Sequence, residues 1–284
     1  MRDPHPLTPY PPLWINACLT GMVPDKTGFP HVPISPEEII QDALEVASLG
    51  VQILHIHARG EDGLPTWKAD VYAKILTAIR QVHPDVILCV TTSGRVWTDF
   101  ERRVEVLDLT GKAKPDMASL TLGSLNFPTG AHLNSPDMIE RIAQRMLDRN
   151  IKPELEIFEL GMLDYARYLH KHNLLRPPFY FNFLLGNRGT APATLGQLDA
   201  LIKALPGQAL WAVGGVGCFQ LPMVTAGLIA GGGVRVGLED NLYYDREKKI
   251  PARNVDLVKR ILRLANECGR SLASAKEIRT LLGL

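Results

Sequence analysis

Net charge is nearly absent from this sequence: 31 Lys and Arg against 30 Asp and Glu leave +1 over 284 residues. So balanced a chain lacks the basic face that nucleic acid or an anionic membrane selects, though a local phosphate site is compatible with it. Cysteine is sparse too. Cys18, Cys89, Cys218 and Cys268 show no C-x-x-C spacing, which excludes a disulfide framework or a zinc knuckle and points to thiols in a reducing compartment. No apolar stretch reaches the roughly 18 residues that a membrane span needs. The opening MRDPHPLTPYPPLW is interrupted by prolines before a signal-peptide core can form. Disorder is excluded as well, since 46% of the residues are hydrophobic. The expectation is a cytoplasmic protein acting on a small molecule, with neither nucleic acid nor membrane as partner.

What is present is a rhythm of short apolar runs alternating with amphipathic ones. Leu13–Cys18 is strand-like. Ser35 then caps a helix, with Pro36 in its first turn and Glu38 three residues after the cap. Its apolar face is Ile39, Ile40, Ala43, Leu44 and Ala47, and Gly50 stops it. Strand-like runs follow at 51–57, 86–90, 116–122, 154–158, 179–184, 209–213 and 234–236. Helical patterns fall between and after them at 68–79, 100–107, 136–149, 162–172, 195–205, 222–230 and 255–267. Eight strand–helix pairs with no linker, charge block or repeat predict one domain over 1–284, a (β/α)8 TIM barrel. About 1–12 would be an N-terminal extension and about 270–284 a helical tail. In this fold the chemistry sits at the carboxyl ends of the strands, so polar residues closing the apolar runs are the candidates.

His55 and His57 close the second run. Residues two apart on a strand share a side, so both imidazoles face one space, ready to hold Zn2+ or a similar ion. One exposed and one core histidine is the plainer alternative. Arg235, Glu239 and Asp240 close the last run. Strands eight and two flank strand one in a closed barrel, so Glu239 could complete a His2Glu site. Asp240 would then be the natural general base and Arg235 its cationic partner; a surface pair capping a turn is the other reading. Thr91 and Thr92 end the third run, where hydroxyls either orient a substrate oxygen or satisfy turn backbone. Glu154 and Glu156 share one side of the fifth, as a structural ion pair or as functional groups. Ser119, Thr121 and Asn126 are weaker cases of the same kind. Gly214, Gly215 and Gly217 precede a helix, where amides could approach a phosphate or simply make a tight turn.

These pieces resemble the β-keto acid cleavage enzymes, typified by the 3-keto-5-aminohexanoate cleavage enzyme of lysine fermentation. The resemblance rests on Thr20-Gly21, Pro36-Glu37-Glu38, His55 to Arg59, Thr91-Thr92, Ser119 to Phe127, Lys152 to Glu156 and Val234 to Asn241. It covers nearly the whole chain. It implies a catalytic Zn2+ held by His55, His57 and Glu239, with acetyl-CoA as co-substrate and a β-keto acid converted to acetoacetate and a new acyl-CoA. It further implies Asp240, held by Arg235, as the base removing a C2 proton, with Thr91 helping at tetrahedral oxyanions. Ser119 and Glu156 would be further pocket residues, and the enzyme would be a dimer or tetramer; by position alone, Asn126 joins them as a substrate contact and Gly215 and Gly217 as cofactor contacts.

Two departures stand out. Gly233 occupies a position where relatives often carry His, at the far end from the chemistry. Val23 stands where the aminohexanoate enzyme has an acid suited to an ammonium, so a neutral or apolar substrate side chain is expected. The alternatives are a metal-dependent hydrolase or aldolase barrel without CoA, and a non-catalytic metal-binding barrel.

Overall fold

The computed structural model describes residues 10–128 and 130–284. Of the expected N-terminal extension, residues 1–9 lie outside that range. Eight parallel strands close a barrel: β1 (Ile15–Cys18), β2 (Ile53–Ile56), β3 (Ile87–Val90), β4 (Met117–Thr121), β7 (Lys152–Ile157), β8 (Phe179–Leu185), β9 (Ala209–Gly215) and β10 (Gly233–Val236). Their order around the barrel is β1-β10-β9-β8-β7-β4-β3-β2, so β10 and β2 flank β1. The TIM barrel read from the alternation is the fold found.

The helices α1 (Pro36–Ala47), α2 (Ala69–Val82), α3 (Phe100–Val104), α4 (Pro136–Asp148), α5 (Leu160–Lys171), α6 (Leu195–Lys203) and α7 (Gln220–Ile229) return the chain between strands, and α8 (Asn254–Glu267) follows β10. In α1 the Ser35 hydroxyl accepts the Glu38 amide, and Ile39, Ala43, Val46 and Ala47 are buried. The helix expected over 100–107 is shorter: α3 gives way to a 3-10 turn at Glu105–Asp108. Unforeseen was the hairpin β5 (Leu125–Phe127) with β6 (Gly130–His132), which stands above the end of β4. Strands of three residues are too short to carry a pattern. No helix among the described residues is long and apolar enough to cross a membrane.

The barrel is sealed at its lower end. Trp14, Ile53, Ile87, Met117, Tyr180 and Ala212 form an apolar cluster with Ile278 and Leu282 of α9 (Ala275–Leu282). This last helix starts on a capping box between Ser274 and Glu277. It is locked in place by Arg279, which donates to Asp116 and to the carbonyls of Asp85 and Val86. Gly233 opens β10 against Trp14: a Cβ there would come within 2.1 Å of the indole nitrogen. The tryptophan takes the room a side chain would need. Gly233→Ala should therefore cost about 1–3 kcal/mol by overpacking and lower the thermal midpoint by several degrees. An unchanged melt would refute the packing role.

Candidate active site

Above the apolar layer the barrel interior turns polar. Side chains alternate along each strand, and the inward set includes His55 on β2, Glu154 on β7, Asn182 on β8 and Arg235 on β10. His55 and His57 bring their Nε2 atoms to 3.3 Å from each other. Glu239, from the loop after β10, reaches both, with Oε1 3.2 Å from His57 Nε2 and Oε2 3.7 Å from His55 Nε2. All three offer a ligand atom within 4.8 Å of one another. The spacing argument thus ends in one cluster, drawn from two strands that share the neighbour β1.

His55 is oriented from behind. Its Nδ1 lies 2.6 Å from Glu154, a fully buried carboxylate that also accepts from Asn16 at 2.5 Å and Asn182 at 3.0 Å. Burial alone would raise the Glu154 carboxyl, but the His55 ring, the Arg235 charge and the Cys89 thiol hold it down at about 2. Cys89 also points at Glu154, yet burial drives its thiol well above the usual range. The nearby His55–Cys89–Glu154 grouping is therefore a protonated thiol and a carboxylate supporting a histidine. Sequence reasoning left Glu154 open between an ion pair and a function; its role here is to aim His55.

Arg235, 1% exposed, organises the other side. Nε donates to Asp240 at 2.8 Å and Nη2 donates to Glu239 at 2.8 Å. The Cys18 thiol gives Asp240 a further hydrogen bond at 3.2 Å. Burial opposes the Glu239 charge, but Arg235 and the two imidazoles pull its carboxyl well below the ordinary value. The loop carrying Glu239 and Asp240 is pinned by Asn254, which accepts from the Leu238 amide at 2.8 Å and donates to Leu19 and Asp42. Gly21, at φ +66°, passes so close to Glu239 that a Cβ would sit 2.7 Å from its Cγ. Arg59 donates to the carbonyls of Gly21, Gly63 and Pro24 and fixes the loop bearing Val23.

A cavity of about 410 Å³ opens over these groups. It is lined by His57, Glu239, Asp240, Arg235, Thr91, Glu156, Val23 and Gly217 among the anticipated residues. Thr91 accepts from the Ser93 amide at 3.0 Å, leaving its hydroxyl hydrogen free to donate. Glu156 accepts from Thr121 at 2.5 Å; burial raises its carboxyl despite Arg235 nearby. Val23 is 49% exposed at the rim.

Three expected contacts lie elsewhere. The Ser119 hydroxyl accepts the Thr92 amide at 3.2 Å, bracing the Thr91 turn from outside the cavity. Asn126 is exposed on the hairpin and lines a separate cleft with Glu159 and Thr190. Gly215 ends β9 packed on the Phe219 carbonyl, outside the cavity. The Gly217 amide is already used, donating to the Asp240 carbonyl at 2.7 Å, and the Val216 amide donates to Leu185. This turn therefore offers those amides to no phosphate. Cavity residues that the strand-end rule missed include Met22, Arg95, His132, Tyr243 and Lys248, most of them from loops where periodicity gives no signal.

The family model described as beta-keto acid cleavage enzyme matches residues 12–284. The chain belongs to the β-keto acid cleavage enzyme family. It is 36% identical over 274 residues to the 3-keto-5-aminohexanoate cleavage enzyme of Acetoanaerobium sticklandii, covering 96% of this chain and 98% of that protein. To the 3-oxoadipate:acetyl-CoA acetyltransferase of Cupriavidus necator it is 34% identical over 276 residues, covering 96% and 95%. The solved structure of apo ObcA shares the fold, with a TM-score of 0.79 at 22% identity, over 90% of this chain and 66% of that one.

In this member of the β-keto acid cleavage enzymes the cluster has the donors a divalent cation takes. Glu239 Oε2 is buried with no hydrogen-bond partner, and two imidazole nitrogens face it. Burial would lower the His55 pKa, but Glu154 and Glu239 raise it to about 9, so without an ion the cluster captures a proton instead. A bound cation must displace that proton. Metal affinity should accordingly climb with pH up to about 9 and flatten above it, with proton release at neutral pH seen by calorimetry in buffers of different ionisation enthalpy. Glu154→Gln should weaken metal binding roughly 10–100-fold in chelator competition; wild-type affinity would show that His55 needs no orienting carboxylate.

Proposed function

We propose that this enzyme converts a β-keto acid and acetyl-CoA into acetoacetate and the acyl-CoA of the keto acid's remaining side, with Zn2+ held by His55, His57 and Glu239. The reading is supported by the family, by relatives named as cleavage enzyme and acetyl-CoA acetyltransferase, and by a nitrogen–carboxylate donor set suited to zinc. The observation that carries it is the bidentate Arg235–Asp240 pair beside the His55–His57–Glu239 cluster in one cavity. When bound, the ion supplies positive charge next to the oxygens of the keto acid and its enolate.

The chain's own groups do the rest. Asp240, fixed by Arg235 and Cys18, removes a C2 proton as general base. The resulting C2 carbanion forms a bond to the acetyl carbonyl carbon, and the C–S bond breaks to release the CoA thiolate. That thiolate attacks the ketone carbon, and the C2–C3 bond then cleaves, leaving acyl-CoA and the acetoacetate carbanion. Asp240 returns its proton to that carbon. Thr91 has a hydroxyl hydrogen available for the tetrahedral oxyanions. Val23 puts methyl groups at the rim, where an amino substrate would need an anion.

Acyl-CoA and acetoacetate formation, followed by mass spectrometry with labelled acetyl-CoA, tests this. Turnover should be lost on chelation and return with Zn2+; metal-dependent cleavage without acetyl-CoA would favour a hydrolase or aldolase and overturn the assignment. Asp240→Asn should lower kcat by about 10²–10⁴-fold. Val23→Glu should raise kcat/KM at least about tenfold for keto acids bearing an ammonium, since a charged hydrogen bond is worth that much.

A further inference from the structure

The rim of the cavity holds a cation that feels the carboxylates of Glu239, Glu156 and Asp240 at a distance but pairs with no carboxylate among the described residues. Arg95, on the loop after β3, stacks its guanidinium on the Phe127 ring with 3.6 Å from Cζ to the ring centroid. Its backbone amide is turned by Ser93, and the β5–β6 hairpin thus forms the platform on which it rests. The side chain lines the same cavity as His57, Glu239 and Asp240. It makes neither an ion pair nor a hydrogen bond among the described residues, and its Nε is buried without a partner. The buried arginines differ: Arg59 donates to three carbonyls, and Arg103 and Arg235 each leave Nη1 without a hydrogen-bond partner but hold acceptors on their other nitrogens, whereas the Arg95 side chain holds none among the described residues. A buried donor without an acceptor costs about 1–3 kcal/mol, more when charged, and a cavity-lining guanidinium with no acceptor on any of its nitrogens is a site for one.

Two neighbours strengthen the case. Lys248 lines the same cavity from the loop after β10, in left-handed backbone at φ 59° and without an ion pair among the described residues. His132, which also lines it, accepts the Gly94 amide at 3.0 Å. Burial and the flanking Arg103 and Arg95 push its pKa down to about 3, so it stays neutral and adds no charge of its own. At the floor of the cavity the carboxylates of Glu156, Glu239 and Asp240 gather instead. The cavity is thus acidic below, where a cation and the reacting end of the substrate fit, and basic at one side above.

The geometry points to Arg95, assisted by Lys248, as the subsite for a carboxylate at the far end of the β-keto acid. This rests on the reading of the reaction above and deepens it: the substrate is a keto dicarboxylic acid, its C1 end at the His55–His57–Glu239 cluster and its second carboxylate on the stacked guanidinium. Val23, whose methyl groups line the cavity, would then meet the methylene chain between. The neutral or apolar side chain expected from Val23 alone is replaced by an apolar body with an anionic tip.

The test is a panel of β-keto acids of matched length ending in carboxylate, carboxamide or methyl, assayed on the zinc-loaded enzyme with acetyl-CoA. The carboxylate should exceed the methyl analogue by about 10–100-fold in kcat/KM, the gain expected of a charge-assisted contact. Arg95→Ala should compress that ratio to near one, Arg95→Lys should keep part of it, and Lys248→Ala should shrink it less. Because the readout is a ratio between substrates, a variant that is merely less stable does not change it. Equal use of all three by the wild type overturns the subsite while leaving CoA-dependent cleavage intact. If Arg95→Ala instead weakens acetyl-CoA but not acetyl-pantetheine with every keto acid, the anion is a CoA phosphate and the proposal fails. Calorimetric affinities of the same acids without acetyl-CoA read the preference independently of turnover, so an inactive enzyme would overturn the proposed reaction and still decide the subsite.

Discussion

One buried guanidinium governs the mouth of this barrel. Taking a cation out of water costs several kcal/mol unless opposite charge and full hydrogen bonding follow it in, and Arg235 is enclosed on β10 with almost no exposure. Glu239 and Asp240 bring that opposite charge from a single short loop, Asp240 on Nε and Nη2 and Glu239 sharing Nη2. Two adjacent residues are thereby held in different directions: Glu239 toward the imidazoles, Asp240 toward the open cavity. Planar geometry makes this possible, and a lysine would offer no such fork. Asn254, Gly21 and the Leu238 amide are all placed to keep that loop against its counter-charge.

Much of this was legible in the chain. Parallel strands buried on both faces read as apolar runs, and amphipathic helices between them leave an alternation that local pattern captures. His55 and His57 were legible for the same reason, since a period of two puts both rings on one side, and the closure of the barrel set Glu239 near them. What pattern could not give was depth. Ser119 on β4 and Glu154 and Glu156 on the neighbouring β7 share the inward side, yet one braces a turn, one aims a histidine and one lines the cavity. Those outcomes depend on how far along the axis each residue sits and on which partner crosses from the opposite wall. Loops carried even less signal: Arg95 is five residues past the end of β3, and its meaning comes from Phe127, thirty-two positions away on a hairpin that no periodicity announces.

Stability and chemistry are divided along the barrel axis. The lower layer is apolar and closed by α9, with Trp14 filling the place a side chain at position 233 would take. The upper layers hold charges that are individually costly and only jointly tolerable, such as Glu154 surrounded by donors and Arg235 surrounded by acceptors. A fold arranged in this way can carry a strained polar site because the cohesive packing lies elsewhere.

The α9 seal also sets the traffic through the molecule. A barrel plugged at the bottom is a well with one opening, so occupants stack rather than pass through. Whatever seats on His55, His57 and Glu239 must enter before the molecule that covers it, and it leaves only after that molecule has gone. Arrival and departure thus share one doorway, lined by Val23, Arg95 and Lys248, and the last guest in is the first one out.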